Sequence, residues 1–338
     1  MFLTGVVFLV IGIFIGTNPY HVENFNSVSQ IAREISRPLD IYTIENLSKA
    51  PSQGGSFRIE NDLESDADTF ESFVFSFEFS PTLRKNDATK KTTGLLNVPV
   101  EDGKYPLVIL FRGYVDQTIY QTGIGSKPAS DFFAEEGFIS VSPDFLGYAG
   151  SSEEAGNIFE TRFQTYTTAI SLVQAIDQPS FAEMVNDKWD GENVFIWAHS
   201  NGGQVALTLL TVMGLEYPTT LWAPVTKPFP YSILYYTDES EDEGKFIRRE
   251  LARFEELYDV DLYSFDKYLE KINAPLHIHQ GTLDDAIPLT WTNSFVISLK
   301  NLEKEVRYFT HGGADHNMRP AWGNAIEADL SFFRDNLK

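Results

Sequence analysis

The stretch Val194-Phe-Ile-Trp-Ala-His-Ser-Asn-Gly-Gly203 decides the fold. Its first half is a continuous apolar run that is too short for a helix, which predicts a buried strand. A helical pattern follows over residues 203–213, so Ser200 falls in the turn between a strand and a helix. Ala198 and Gly202 stand two positions on either side of it, where a larger side chain would collide with the neighbouring backbone. This arrangement is typical of a nucleophilic serine.

The chain around this turn alternates short apolar runs with helical periodicity. Strands that lack a polar face are typical of a parallel sheet covered on both sides. Such strands are predicted at residues 105–111, 138–142, 194–198, 219–223 and 275–279, and crossover helices at 129–136, 161–176, 203–213 and 291–299. The alternation predicts an α/β protein with a mostly parallel, doubly wound sheet.

Two further strands are predicted on the N-terminal side of this sheet. Residues 70–79 place Phe73, Phe75, Phe77 and Phe79 at period two, with Ser76 and Glu78 on the other face. That alternation predicts an antiparallel strand with one solvent-exposed side. A second strand over residues 92–98 follows a charged stretch that suits a hairpin loop.

Residues 225–272 lie between two predicted strands and contain two amphipathic helical stretches. An insertion of this length predicts a cap over the carboxyl ends of the strands, where open α/β sheets bind ligands. The acidic run at residues 238–243 offers oxygen ligands for calcium, but it lacks regular ligand spacing. A solvated charged loop is the favoured interpretation of this run.

Composition sets limits on size, chemistry and partners. The 338 residues, 43% of them hydrophobic, allow one large domain or two smaller ones. The formal net charge of −22 opposes binding to nucleic acid. The absence of cysteine from the sequence excludes disulfides, thiolate metal sites and cysteine nucleophiles. We expect an apolar membrane anchor or export segment at 1–16, a lead-in at 17–65, and the α/β domain at 66–338 with a cap inserted at about 225–272.

Residues 2–15 carry no charge, and only Thr4 interrupts their apolar run. They are short for a transmembrane helix, and they lack the basic start and small-residue cleavage site of a signal peptide. A buried helix or strand is the third alternative. We favour a membrane anchor or export segment, which would place the folded domain outside the cytoplasm.

From about residue 90 onward the chain resembles the α/β-hydrolase fold, and within it the prolyl-oligopeptidase group of serine peptidases and their esterase relatives. The resemblance rests on the small-x-Ser-x-Gly turn and on a G-x-x-D-x-x-V-P stretch, which falls on Gly281, Asp284, Ile287 and Pro288. It implies Ser200 as nucleophile and Asp284 as the acid that orients a histidine. Asp285 is the alternative acid.

The resemblance also implies a base and an oxyanion hole. His316 matches the family's loop histidine, and His311 in the same loop is its competitor. Backbone N–H groups of Tyr114 and Asn201 would hold the oxyanion. Relatives have a histidine before the loop glycine where this chain has Arg112. We expect that side chain to have a structural role, pairing with a carboxylate such as Asp144.

These residues predict a serine hydrolase that cleaves an ester or peptide bond through an acyl-enzyme. Peptidase and carboxylesterase stay equally open, because the chain has no room for the β-propeller of many related peptidases. An acyltransferase and a non-catalytic binding protein on a hydrolase scaffold are the alternatives. We expect a small ester or peptide substrate, no cofactor and no metal; the oligomeric state is not indicated.

Overall fold

The computed structural model describes residues 36–51, 54–64, 67–237 and 242–338. Its described strands form one nine-stranded sheet. The strands are β1 (Ser56–Leu63), β2 (Phe70–Phe79), β3 (Lys90–Pro99), β4 (Tyr105–Phe111), β5 (Ile139–Pro143), β6 (Trp189–His199), β7 (Thr219–Trp222), β8 (Leu276–Gly281) and β9 (Val306–His311). Residues Pro38–Lys338 make up one compact unit.

The strand order is β1-β2-β3-β5-β4-β6-β7-β8-β9. The pairs from β1 to β5 are antiparallel, whereas every pair from β5 through β4 to β9 is parallel. The predicted class, a mostly parallel sheet with antiparallel N-terminal strands, is confirmed. The sheet begins at Ser56, within the stretch expected as a lead-in.

Helices cover both faces of the sheet. They are α1 (Ile44–Lys49), α2 (Lys127–Glu135), α3 (Ile158–Ala175), α4 (Pro179–Met184), α5 (Asn201–Met213), α6 (Tyr231–Leu234), α7 (Lys245–Glu255), α8 (Leu289–Asn301) and α9 (Trp322–Asp335). Strand β6 shows why its sequence is apolar throughout. Val194 and Ile196 enter one core cluster with residues of α3 and α5, while Phe195 and Trp197 enter another with residues of α2 and α9.

The exposed face predicted for β2 is only partly exposed. Glu78 reaches solvent, but Ser72 and Ser76 on the same face are buried. Helix α2 explains part of the cover: the Ser72 hydroxyl donates to Asn97 Oδ1 (2.8 Å), and Asn97 Nδ2 donates to the Ser130 hydroxyl of α2 (3.2 Å). Strand alternation alone does not reveal a helix that folds over the second face.

The insertion between β7 and β8 contains α6, α7 and 3-10 turns at Val260–Tyr263 and Phe265–Lys271. Phe254 of α7 packs against Phe159 of α3 and against Phe229, with ring centroids 5.1 and 5.6 Å apart. Of the acidic run, the structure describes residues 242 and 243. The Asp242 carboxylate accepts from the N–H groups of Gly244 (3.0 Å) and Phe246 (2.7 Å), so it caps the start of α7.

Within the part of the chain that the structure describes, no helix combines the length and apolar character needed to cross a bilayer. The apolar run at residues 2–15 lies outside the described residues. The predicted anchor or export segment therefore stays a prediction.

Candidate active site

Ser200 lies in the turn between β6 and α5 with φ 54° and ψ −118°. A positive φ is uncommon for a residue with a side chain and costs free energy. Backbone hydrogen bonds fix this conformation. The Ser200 N–H donates to the Trp222 carbonyl (2.9 Å), and the Ser200 carbonyl accepts from Gly203 (3.0 Å) and Val225 (2.9 Å). The turn is therefore held by β7 and the segment after it.

Glycine is required two positions after the serine. A Cβ on Gly202 would lie 2.0 Å from the carbonyl oxygen of Phe111, at the end of β4. A Cβ on Gly203 would lie 2.6 Å from the Pro224 Cβ. The close approach predicted for this turn is thus an approach of α5 to the backbone of a neighbouring strand.

Asp284 and His316 contact each other directly. Asp284 follows β8 and His316 follows β9, so the parallel pairing of these strands brings both loops to one edge of the sheet. His316 Nδ1 lies 3.0 Å from each carboxylate oxygen of Asp284. Asp285 is exposed. Of the two candidate acids, the structure places Asp284 against the histidine ring.

The Asp284 carboxylate is held from several sides. Oδ1 accepts from the N–H groups of Ala286 (2.9 Å) and Ile287 (2.8 Å), and Oδ2 accepts from Gln280 Nε2 (2.7 Å). Burial by itself would raise the pKa of Asp284. The hydrogen bond from His316, the Ile287 N–H, the His316 charge and Gln280 outweigh burial, and the pKa is lowered. The ionised carboxylate is the form that stabilises an imidazolium.

His199, directly before Ser200, is a site residue that the sequence analysis missed. Its Nε2 lies 3.0 Å from the His316 carbonyl oxygen, and the two rings have centroids 4.8 Å apart. Burial, and then the nearby His316, lower the pKa of His199 to about 4. His199 is therefore neutral at pH 7, and its Nε2–H donates to the backbone of His316. Its position at the end of β6, one residue from the nucleophile, was the available signal.

The structure brings His316 beside the turn that holds Ser200. Among the described residues no hydrogen bond joins the Ser200 hydroxyl to the His316 ring. The link runs through His199, which precedes Ser200 and contacts both the backbone and the ring of His316. Hydrogen bonds between nucleophile and base often tighten only when substrate is bound.

The loop after β4 lies against Ser200. A Cβ on Gly113 would be 3.0 Å from the Ser200 Cβ and 3.2 Å from His199 Nδ1. Tyr114 follows Gly113 in this loop, and Asn201 is the first residue of α5. The two predicted N–H donors thus belong to the two segments next to the nucleophile, and α5 directs its positive dipole end to the same place.

Arg112 is buried, and its side chain holds the loop after β4 in place. Its guanidinium lies over the rings of Tyr120 (4.4 Å) and Tyr148 (4.0 Å). Nη2 donates to the carbonyl oxygen of Asp144 (2.6 Å), and Nη1 donates to that of Gly113 (2.9 Å). The side chain is structural, as expected, but its partner is the main chain and not the carboxylate of Asp144.

The Asp144 carboxylate already has three other partners. It accepts from the hydroxyls of Tyr120 (2.6 Å), Thr93 (2.7 Å) and Thr122 (2.8 Å). Because these donors surround both oxygens, Arg112 is left to contact the carbonyl of the same residue. Arg112, the residue before Gly113, is therefore joined to β3 and β5 through Asp144.

A cavity of about 340 Å³ opens next to Asn201. Arg112, Tyr114 and Tyr148 form one side of it, Arg162 of α3 another, and Phe246 of α7 a third. The insertion after β7 thus supplies part of the lining of the cavity beside the Ser200 turn. The lining is mostly apolar with a few polar groups, which is typical of a small-molecule site.

His311, the competitor for the base, lies in a different cluster. Its Nε2 is 2.9 Å from Nδ1 of His279, and the other ring nitrogen of His279, Nε2, lies 3.0 Å from Asp329 Oδ1. Burial, and then the charge of His279, lower the pKa of His311. The structure therefore separates the two loop histidines: His316 contacts Asp284, and His311 contacts the interior beneath β8.

Known proteins similar to this chain include esterases and peptidases. The acetyl esterase Axe7A of Xylanibacter ruminicola is 26% identical over 247 residues, which cover 65% of this chain and 52% of that protein, so the chain spans about half its length. The structure of acetyl xylan esterase 1 from Thermoanaerobacterium sp. JW/SL YS485 aligns with a TM-score of 0.60 at 14% identity, over 88% of this chain and 94% of that one.

A puromycin-hydrolyzing peptidase of Mycobacterium tuberculosis aligns with a TM-score of 0.53 at 18% identity, over 78% of this chain and 37% of that one. At identities of 14% and 18%, these two alignments show a shared fold and no shared activity. Residues 127–338, more than half of the chain, match the prolyl oligopeptidase family. The match includes the Ser200 turn and the loops of Asp284 and His316, and it confirms the predicted serine hydrolase class. The chain belongs to the prolyl oligopeptidase family.

Proposed function

We propose that this protein is a carboxylester hydrolase that removes short acyl groups, with Ser200, His316 and Asp284 as its catalytic triad. The observation that carries the proposal is the arrangement at the sheet edge. A serine in a strained strand–helix turn lies beside a histidine whose Nδ1 is 3.0 Å from both oxygens of a buried carboxylate. That is the arrangement used for nucleophilic acyl transfer.

The mechanism follows from which ring nitrogen of His316 is hydrogen-bonded to Asp284. Because Nδ1 of His316 donates to Asp284, Nε2 is left to take the proton of the Ser200 hydroxyl as its oxygen attacks the carbonyl carbon. The N–H groups of Tyr114 and Asn201 stabilise the oxyanion. The imidazolium then protonates the leaving alcohol, and water releases the acyl group by the reverse use of the same residues.

An ester substrate is favoured over a peptide by the curated relative, which is named an acetyl esterase. The cavity of about 340 Å³ beside Asn201 is compatible with a small acyl group. Exposed aromatic side chains at its mouth, Tyr114 and Phe246, offer flat surfaces for the alcohol part of the substrate. The family as a whole also contains peptidases, and the substrate test separates the two activities.

The nucleophile is tested by labelling with a fluorophosphonate probe. Ser200→Ala is expected to abolish labelling and ester hydrolysis. Ser294 is an exposed serine on α8, distant in sequence from Ser200. Ser294→Ala is the matched control and should be labelled as the wild type is. Labelling that persists in Ser200→Ala contradicts the assignment.

The substrate class is tested with p-nitrophenyl esters of increasing acyl length beside aminoacyl-p-nitroanilides. We expect the highest kcat/KM for the acetate, with a decline of roughly tenfold or more toward long acyl chains. Faster turnover of the anilides favours the peptidase, and a product that depends on an added acceptor favours acyl transfer.

We further propose that residues 2–15 attach the protein to a membrane or direct its export. The support is their uncharged, apolar sequence. A full-length protein is expected in the membrane or extracytoplasmic fraction, and a variant lacking these residues in the cytoplasm. Equal distribution of both proteins contradicts this proposal.

A further inference from the structure

A cluster of possible metal ligands lies under the active-site edge, apart from the triad. His277 and His279 are on β8, two residues apart and therefore on the same face of the strand, and Asp329 is on α9. Their exposed fractions are 4%, 0% and 0%. One ligand atom from each residue lies within 4.8 Å of the others.

Two of these side chains are oriented by neighbours. Asp329 Oδ2 accepts from Trp222 Nε1 (2.6 Å), and His279 Nδ1 is 2.9 Å from His311 Nε2. Metal ligands are commonly held in this way, with the far atom hydrogen-bonded and the near atom left for the ion. The near atoms here are Asp329 Oδ1 and His279 Nε2.

The near atoms lie together but unsatisfied. They are 3.0 Å apart, and neither has a hydrogen-bond partner among the described residues, so the ring N–H does not point at the carboxylate. Both ring nitrogens of His277 are also buried without a partner in the described chain. Buried polar atoms normally have a hydrogen-bond partner. A cluster of buried atoms without one therefore indicates a site for a ligand.

We infer that His277, His279 and Asp329 form a binding site for a divalent transition metal, best matched by zinc. Two imidazole nitrogens and one carboxylate oxygen are a ligand set that suits Zn²⁺, which keeps its remaining position for water or another group. The ion would join β8 to α9. It would touch neither Ser200 nor His316, so its role is structural.

The placement gives that role a consequence for the site. Asp284 follows β8, and the loop of His316 lies between β9 and α9. His311, which contacts His279, begins the same loop. A metal that joins β8 to α9 would therefore fix the elements on both sides of the Asp284–His316 pair. The rival explanation is a proton shared between His279 and Asp329 as a buried ion pair.

The test uses the full chain after removal of metals with a chelator. Titration with Co²⁺ is expected to give the visible absorption bands of tetrahedral nitrogen and oxygen coordination. These bands should saturate at an equimolar ratio of Co²⁺ to protein. Added Zn²⁺ should displace the Co²⁺ and abolish the bands. Zn²⁺ should also raise the Tm, because an ion that binds only the folded state stabilises it. Absence of an equimolar Co²⁺ spectrum in the wild type overturns the inference and favours the buried ion pair.

Variants locate the ion. His277→Gln and Asp329→Asn are expected to lose the Co²⁺ bands and the Zn²⁺-dependent shift in Tm. His316→Gln is the matched control and should keep both, because the Asp284–His316 pair is not part of the site. Co²⁺ binding that survives in His277→Gln overturns the assignment.

A milder substitution covers the case in which a ligand variant does not fold. Trp222→Phe removes the hydrogen bond to Asp329 Oδ2 and keeps a smaller aromatic ring at this position. It should weaken Co²⁺ binding by roughly 10- to 100-fold, the usual effect of losing a group that orients a ligand. Unchanged affinity in this variant contradicts the proposed geometry.

Discussion

Asp284 and Asp285 are adjacent in sequence and opposite in environment. The side chain of Asp284 is fully buried and holds His316, whereas Asp285 is exposed. We expect Asp284→Asn to lower kcat for p-nitrophenyl acetate by about 10³- to 10⁴-fold, because an amide does not stabilise the imidazolium.

Asp285→Asn is the matched control for this change. It removes the same charge one residue away, and its kcat should stay near that of the wild type. Steady-state kinetics of the purified variants measure both values. If the two variants lose activity equally, Asp284 does not act as the orienting acid.

Arg112 shows how a departure from the family pattern is accommodated. Its guanidinium makes two hydrogen bonds to carbonyl groups and contacts two tyrosine rings, which a lysine does not reproduce. We expect Arg112→Lys to reduce the free energy of unfolding by about 1.5–3 kcal/mol, the usual contribution of charged hydrogen bonds. It should also lower kcat/KM, because the loop of Gly113 loses its support.

Arg162→Lys gives the comparison. Arg162 lines the same cavity, but its side chain makes one long hydrogen bond of 3.4 Å, to Asn201. Urea unfolding should show a smaller loss for Arg162→Lys than for Arg112→Lys. If both variants lose the same free energy of unfolding, the contacts of Arg112 with the two tyrosine rings and the carbonyl groups do not contribute to stability.

At the scale of elements, the contact between β6, α5 and β4 determines whether the nucleophile turn forms. A methyl group on Gly202 would lie 2.0 Å from a main-chain oxygen of β4, which cannot move without disturbing the sheet. We expect Gly202→Ala to cost about 3 kcal/mol or more of stability, at or beyond the upper end for overpacked cores. The measurement is the Tm and the soluble yield.

Gly312→Ala is the control for this effect. No atom outside its immediate chain neighbours lies within 4 Å of a Cβ built on Gly312, in the loop after β9. Its Tm should stay close to that of the wild type. A Gly202→Ala protein with an unchanged Tm would show that α5 does not approach β4 as closely as described.

The elements that could be predicted from the sequence are those that bury both faces. Strand β4 has the predicted bounds, Tyr105–Phe111, because its last five residues form one buried apolar run. Strand β1 was not predicted. Most of its residues are polar and exposed, and it is held by backbone pairing to β2, which leaves no apolar pattern to read.

Strand β6 extends to Trp189, five residues before its predicted start at residue 194. The polar residues Asp190, Glu192 and Asn193 interrupt the apolar run, while Trp189 still pairs with Tyr105 across an irregularity in the register. The apolar pattern of the sequence predicts the buried half of such a strand, but it does not predict the solvent-exposed end.

The candidate site divides in the same way. Ser200, Asp284 and His316 follow from motifs, because the chemistry restricts residue types at fixed spacing. The contacts of His199 with the His316 backbone and of Arg112 with Tyr148 join residues that are distant in sequence. Only the folded sheet shows that they meet.

At the scale of the whole molecule, two effects of pH oppose each other. The formal net charge of −22 at pH 7 makes the folded chain repel itself, so mild acid relieves repulsion. His199 acts in the other direction, because its pKa falls from an ordinary 6.5 to about 4 on folding. Between these values the unfolded chain binds a proton that the folded chain does not, so His199 lowers stability as the pH falls from 6.5 toward 4.

A variant separates the two effects. His199→Gln keeps a donor for the His316 carbonyl but does not titrate, and its bulk charge is almost that of the wild type. The free energy of unfolding from urea denaturation should therefore fall more steeply with acid in the wild type than in the variant. The difference between the two curves should grow by on the order of 3 kcal/mol across this window. Curves that stay parallel would show that burial and the nearby His316 do not hold His199 neutral; the carboxylates of Asp284 and Asp315 act in the opposite direction and raise its pKa.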